Sequence, residues 1–254
     1  MKSLQKIALL IDADNTQLSK IEYVIREIST HGRIVVKRAY GNWKKEGLKH
    51  WESEIKRLAI KAEQQFDYVA GKNATDMALV IDAIELLHRG IYDAFVIVSS
   101  DSDFTPLSIK IHESGIYVMG VGEKKTPEAF KNSCDEFIFL ENLEDDINEK
   151  TSNEGNEKVI SDDINEIHSL LRIASDKYQD DDGFVNVSSV GSFIKRAKPD
   201  FDPRTYGFEK LPRLIEAFPD KYEMTKYAGK GTVNIIAYRC KQDKKQIHAL
   251  VQKR

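Results

Sequence analysis

The chain contains 254 residues with a formal net charge of -3, enough to bury a sizeable core and to form one large or two smaller domains. No apolar run approaches the roughly 20 residues of a membrane span, and Met1 to Lys6 lack a hydrophobic leader segment. The two cysteines, Cys134 and Cys240, sit in no CxxC pair, which argues against a disulfide framework or zinc site and leaves a soluble, cytoplasmic protein as the expectation.

Charge is unevenly placed along the chain. Residues 1–143 carry 19 Lys+Arg against 21 Asp+Glu, a net of -2; residues 144–163 carry 2 against 8, a net of -6; residues 164–254 carry 17 against 12, a net of +5. A basic C-terminal module on an acidic tether points to a polyanionic partner.

In chain order, Lys6 to Asp12 reads as an apolar strand ending in a carboxylate, with a turn at Ala13 to Thr16. Leu18, Ile21, Val24, Ile25 and Ile28 then recur at helical spacing, and His31-Gly32 supplies a stop. Ile34 to Tyr40 is the next strand. Residues 42–66 place Ile55, Leu58, Ala59 and Ala62 on a helix face and interleave Trp43 and Trp51 with Lys44, Lys45 and other cations. This pattern reads either as a surface that tracks a phosphate backbone or as a solvated basic face with two half-buried tryptophans.

Asp67 to Ala70 reads as a short strand, and a loop over Gly71 to Ala74 leads into a helix from Thr75 to Leu87. Its expected buried stripe is Met77, Val80, Ile81, Ile84 and Leu87. Asp76 falls in the first turn, where a carboxylate either caps the helix or ligates an ion; ligation is favoured because the preceding turn joins the same edge of the sheet. Asp82 lies about 240° further round and cannot share one ion equally with Asp76, so a supporting or solvated role is expected.

Phe95 to Val98 is an apolar run that breaks into Ser99-Ser100-Asp101-Ser102-Asp103. At about 5 Å and an effective dielectric near 20, two carboxylates repel by roughly 3 kcal/mol, so they separate, take up protons or share a metal. A helix over Pro106 to Ser114, a strand over Gly115 to Val121, a short helix over Thr126 to Lys131 and a strand over Glu136 to Leu140 follow. Strands alternating with such short crossovers predict an α/β fold: a parallel, right-handed, doubly wound sheet of five or six strands. Asp12, Asp101 and Asp103, with Asp76 beside them, then converge at one end of the central strands.

Four aspartates without a partner histidine fit Mg²⁺ or Mn²⁺, with Asn15, Thr75, Ser99 and Ser100 as orienting groups around the ion. Metal-dependent phosphoryl chemistry is the reaction such a site does best, with Asp103 also placed to cap the following helix. Asp12-Ala13-Asp14-Asn15-Thr16 also resembles the nucleophile motif of haloacid dehalogenase-type phosphatases, with Asp12 attacking phosphorus, Asp14 as general acid, and Ser99 and Lys72 as partners. In that family the lysine follows the serine motif, whereas Lys72 precedes Ser99, and the later acidic motif is absent.

Ile11-Asp12-Ala13-Asp14-Asn15, Thr75-Asp76, Ser99 to Phe104 and Ser133 to Phe137 resemble the NYN domain, LabA-like branch, of the PIN-like nuclease superfamily, over residues 5–141. The resemblance implies a metal-dependent ribonuclease with Asp12, Asp76, Asp101 and Asp103 as its catalytic and metal-holding cluster and Asn15 beside it. Asp135 matches a family position of structural character. Lys44, Lys45 and Lys72 are the candidate RNA contacts of this domain.

Residues 144–163 read as an acidic flexible linker between a domain over 1–143 and a second one over 164–254. Ile164, Ile167, Leu170, Leu171 and Ala174 open a helix, and Tyr222 to Met224 and Val233 to Tyr238 form a hairpin around Gly229-Lys230-Gly231, as in a small winged helix. Gly183-Phe184-Val185, Pro199, Phe201-Asp202 and Arg204 to Leu211 are similar to the OST-HTH/LOTUS domain, which implies RNA binding or, for some members, a protein partner. Lys195, Arg196, Lys198, Arg204 and Lys210 would supply phosphate contacts, with Arg213, Lys226 and Lys230 near them. The competing class is a non-catalytic RNA or protein adaptor.

Overall fold

The computed structural model describes residues 4–66, 73–143, 157–228 and 234–241. The chain divides into two compact units, residues 1–149 and 150–254. The first unit runs β1 (Leu4–Asp12), α1 (Ile21–His31), β2 (Gly32–Gly41), α2 (Trp51–Arg57), β3 (Lys61–Gln64), α3 (Ala74–His88), β4 (Ala94–Val98), α4 (Thr105–Glu113), β5 (Tyr117–Gly122), α5 (Glu128–Ser133) and β6 (Glu136–Phe139). Six strands make one all-parallel sheet in the order β3-β2-β1-β4-β5-β6.

β1 is central, and alternation along it builds both faces of the core. Ile7, Leu9 and Ile11 pack with Ile21, Val24 and Ile28 of α1, while Ala8 and Leu10 face Leu79, Ala83 and Leu86 of α3. Each fully buried Leu or Ile contributes roughly 1.5–3 kcal/mol, which makes this strand a fixed reference for everything attached to its ends. The winding direction reverses between β1 and β4, and open α/β sheets form their binding crevice beyond the carboxyl ends at such a switch point.

The structure departs from expectation at the third strand, the helix after β2, the buried face of α3 and Asp82. The third strand is Lys61–Gln64, pairing with β2 from Arg38↔Lys61 to Gly41↔Gln64, and the helix expected over 42–66 shrinks to α2 after a 3-10 turn at Glu46–Leu48. The strand expected over Asp67 to Ala70, together with Lys72, lies outside the described residues. Helix α3 buries Thr75, Leu79, Ala83 and Leu86, and leaves Met77 and Ile81 more than half exposed, so the expected stripe is rotated. Asp82 falls beside that buried face, where it accepts from Arg38 Nη1 and from the Tyr40 hydroxyl of β2 rather than sitting in solvent. Burial, with Asp82 next, holds the Tyr40 phenol well above its ordinary value.

Asp135 is structural: its carboxylate accepts from the Val118 N–H at 2.8 Å and its own N–H donates to the Val118 carbonyl at 2.9 Å.

The second unit comprises α6 (Glu157–Tyr178), β7 (Val185–Asn186), α7 (Val187–Ala197), α8 (Leu211–Glu216), β8 (Tyr222–Ala228) and β9 (Asn234–Cys240), with an antiparallel sheet in the order β7-β9-β8. Ile167, Leu171, Val190, Ile194, Leu214, Ile215 and Tyr238 form its core, as a small winged helix requires. The Asn186 side chain caps α7 through the Ser188 N–H at 2.8 Å. Gly207 at φ +80° closes the 3-10 turn Pro203–Tyr206, a conformation that favours glycine. α6 begins seven residues before position 164 and covers the end of the expected linker, while residues 144–156 and the Gly229-Lys230-Gly231 turn lie outside the described residues.

Replacing Asp82 leaves the mostly buried Arg38 charge and the Tyr40 hydroxyl without their shared acceptor. Asp82→Ala should cost roughly 3 kcal/mol in urea unfolding; a loss under about 1 kcal/mol, the range of exposed pairs, would contradict this arrangement.

Candidate active site

The site begins with register. β1 and β4 pair up to Ile11↔Val98, so Asp12 and Ser99 stand one step beyond, on the face that carries Leu10, Ile97 and α3. Both are buried, and the Ser99 hydroxyl donates to Asp12 Oδ2 at 2.8 Å. Asn15, three residues on in the turn, donates its backbone N–H to Oδ1 at 3.3 Å and its amide Nδ2 to Oδ2 at 2.9 Å. Burial pushes the Asp12 carboxyl above its ordinary value, and the bonds from Asn15 and Ser99 partly offset that.

From Ser99 the network continues outward. Its oxygen accepts from the Asp101 N–H at 3.1 Å, and Asp101 Oδ1 in turn accepts from the Asp103 N–H at 2.9 Å as the cap of the 3-10 turn Ser102–Phe104. Phe104 is fully buried, which pins the turn to the core. Asp103 Oδ2 accepts from Asn73 Nδ2 at 2.7 Å, just before α3. Ser100 accepts from the Glu123 N–H at 2.9 Å and so ties this loop to the end of β5.

α3 brings the last acid. Asp76 shares a helical face with the buried Leu79, Ala83 and Leu86, so its carboxylate faces the sheet end instead of solvent. Asp76, Asp101 and Asp103 each place one carboxylate oxygen so that all three lie within 4.8 Å of one another. Asp12 is not part of that triad, and both its oxygens accept hydrogen bonds from Asn15 and Ser99. Burial, followed by the charges of Asp12, Asp101, Asp103 and Asp14, raises the Asp76 pKa to about 6.

Asn73 was not singled out as a site residue from sequence, and Asp14 only as the general acid of the phosphatase reading. Asp14 accepts the Thr75 hydroxyl at 2.9 Å and the Lys45 ammonium at 3.1 Å, and Asn73 positions Asp103. Asp14 carried a readable signal in the Asp12-Ala13-Asp14-Asn15 turn; Asn73 carried none beyond its place before a helix. The remaining candidates are spread out. Lys44 lies over the Phe66 ring at 4.9 Å. In the second unit Lys198 bonds Glu166 at 2.9 Å, Arg204 bonds Asp202 at 2.7 Å, and Lys210 lies 3.6 Å from Glu209. Arg196 and Lys210 are exposed, and Lys195 is half-buried.

The oxygen-only donor set, with its mutual repulsion and no histidine, fits a hard divalent cation such as Mg²⁺ or Mn²⁺ better than zinc.

A family model for the NYN domain matches residues 6–141, and one for the OST-HTH/LOTUS domain matches residues 158–234. NYN domains fall in the PIN-like nuclease superfamily, and OST-HTH/LOTUS domains bind RNA. No match is found among curated proteins. Among solved structures, a protein of unknown function from Vibrio parahaemolyticus is 20% identical with a TM-score of 0.45, covering 57% of this chain and 96% of its own. An uncharacterized protein from Nitrosomonas europaea is 21% identical with a TM-score of 0.29, covering 39% and 87%. Among the described residues no helix is long and apolar enough to cross a membrane.

A carboxyl whose pKa is raised in the folded state binds more protons there than in the unfolded chain. Stability from Asp76 therefore falls as pH rises from its ordinary value of 3.8 through about 6. Asp76→Asn should stabilise the metal-free protein at pH 7 by about 1 kcal/mol after allowance for partial exposure, with the difference vanishing below pH 4. Urea midpoints across pH 3.5–7.5 measure it; a variant less stable than wild type at pH 7 would refute the crowding.

Proposed function

This chain belongs to the NYN domain family, and we propose that it is a metal-dependent ribonuclease that hydrolyses RNA phosphodiester bonds. The observation that carries the reading is the Asp76-Asp101-Asp103 triad at the switch point of the sheet, where ligand crevices form. A Mg²⁺ or Mn²⁺ bound there supplies Lewis-acid activation of water and neutralises charge on the phosphate. The protein's own work is positioning. Asp101 and Asp103 present oxygens from a turn fixed by Ser99, Asn73 and the buried Phe104.

Asp76, beside Asp101 and Asp103, would serve as a ligand or as the group that positions the attacking water. Asp12 holds Asn15 and Ser99 in place and acts through them. A phosphatase mechanism with Asp12 as nucleophile is disfavoured, because its carboxylate is buried and bonded on both oxygens.

The second unit is proposed to recruit the RNA, with the chain before α6 tethering it to a nuclease over 1–143. A tether raises the local RNA concentration without any added contact at the active site. Lys198, Arg204 and Lys210 each lie beside a carboxylate of the same unit, so the exposed Arg196 is the better phosphate contact, with Lys195 next to it in sequence.

Labelled RNA incubated with Mg²⁺ or Mn²⁺ tests the proposal. Asp76→Asn and Asp101→Asn should each slow cleavage by roughly 10²-fold or more. Equal cleavage by wild type and both variants would remove the assigned site, and intact RNA with every protein would leave an RNA- or protein-binding adaptor. Deleting residues 164–254 should weaken RNA binding while Mn²⁺-dependent cleavage persists.

A further inference from the structure

Beside the acidic triad lies a cavity of about 460 Å³, within the range of small-molecule sites of roughly 300–1,000 Å³. Its walls come from the turn after β1 and from the segment between β2 and α2. Leu18, Leu48 and Trp51 give it an apolar floor, and Asp14, Lys45 and His50 a polar rim. It is contiguous with the proposed catalytic groups through Asp14: one oxygen meets Lys45 in the cavity wall, and the other accepts the hydroxyl of Thr75, the residue before Asp76.

We infer that this cavity is a nucleobase subsite, holding the base of a nucleotide next to the scissile phosphate. The inference rests on the nuclease reading for that placement. Lys45 is offset by Asp14, so the rim presents hydrogen-bonding groups with little net charge. That chemistry suits a neutral, planar ring with a polar edge and an apolar face better than a free phosphate, which needs uncompensated cations. The exposed His50 ring and the Thr16 hydroxyl, which donates to the Val98 carbonyl at 3.3 Å and keeps lone pairs open, are available to a base edge.

The sequence also supplies a reporter and a plug. The chain has two tryptophans, and Trp51 lines the cavity while Trp43 lies 6.1 Å from it, ring to ring. Gly47 lines the same cavity, and a Cβ built there meets nothing within 4 Å, so a larger side chain enters open space without striking the backbone.

The test is titration of the full chain, without divalent metal, by AMP and UMP and by ribose 5-phosphate, read by tryptophan emission and the indole N–H resonances. Saturable quenching by at least one nucleotide, a weak or absent response to ribose 5-phosphate, and a Trp51 indole shift are expected. Gly47→Leu should weaken nucleotide affinity by roughly tenfold or more with an unchanged melting profile. Gly47→Ala, one methyl in open space, should stay close to wild type and controls for the backbone change. No saturable response, an equal response to ribose 5-phosphate, or unchanged affinity in Gly47→Leu would overturn the subsite; should that variant fail to fold, the wild-type comparison decides alone. Nucleotide binding without RNA cleavage would refute the nuclease and leave a nucleobase-binding cavity with no scissile phosphate beside it, whereas cleavage without nucleotide binding would overturn the subsite and leave the nuclease standing.

Discussion

Carboxylate crowding at the end of two buried strands is the constraint on which the site depends. β1 and β4 are apolar on both faces up to Ile11 and Val98, and the next residues, Asp12 and Ser99, must satisfy their polar groups without water. They do so with each other and with Asn15, and the same serine reaches the backbone of Asp101. The chain of bonds runs from a dry strand end to an open loop, and it holds Asp101 and Asp103 near Asp76 despite their repulsion. Asp12 is thus the anchor of the cluster, and burial first, then the neighbouring carboxylates, pushes the Asp76 pKa up.

The sequence showed this logic where one physical signal dominated. An apolar run with a carboxylate at its end marks a buried parallel strand and its open edge, so β1, β4 and the convergence of Asp12, Asp76, Asp101 and Asp103 at one end of the sheet were legible from spacing. Helix α3 was not legible in the same way. From Ala74 to Leu87 it is apolar on several faces, so a stripe through Met77 and Ile81 is as consistent with its composition as the true one through Leu79, Ala83 and Leu86. Only docking on β1 and β2 chooses between them. β3 was missed because Lys61-Ala62-Glu63-Gln64 is an edge strand held to β2 by backbone bonds, with no apolar run to announce it.

Charge was the weaker guide. Counting lysines and arginines located a basic C-terminal segment, yet Lys198 and Arg204 turn out to close internal bridges and Lys45 to neutralise Asp14. Pairing decides which cations remain for a phosphate backbone, and pairing is a tertiary property. Asp82 teaches the same lesson with the opposite sign: a residue expected to support the site or to be solvated joins α3 to β2 through Arg38 and Tyr40.

The central claim is that Asp76, Asp101 and Asp103 form one strained cluster that a divalent cation relieves. Site-resolved carboxyl titration of Asp76 by NMR, with and without Mg²⁺, tests it most directly. Without metal its pKa should lie near 6, and saturating Mg²⁺ should lower it by more than about one unit as the opposite charge favours the carboxylate. A pKa at the ordinary carboxylate value in the free protein, or one that Mg²⁺ leaves unmoved, would contradict the account.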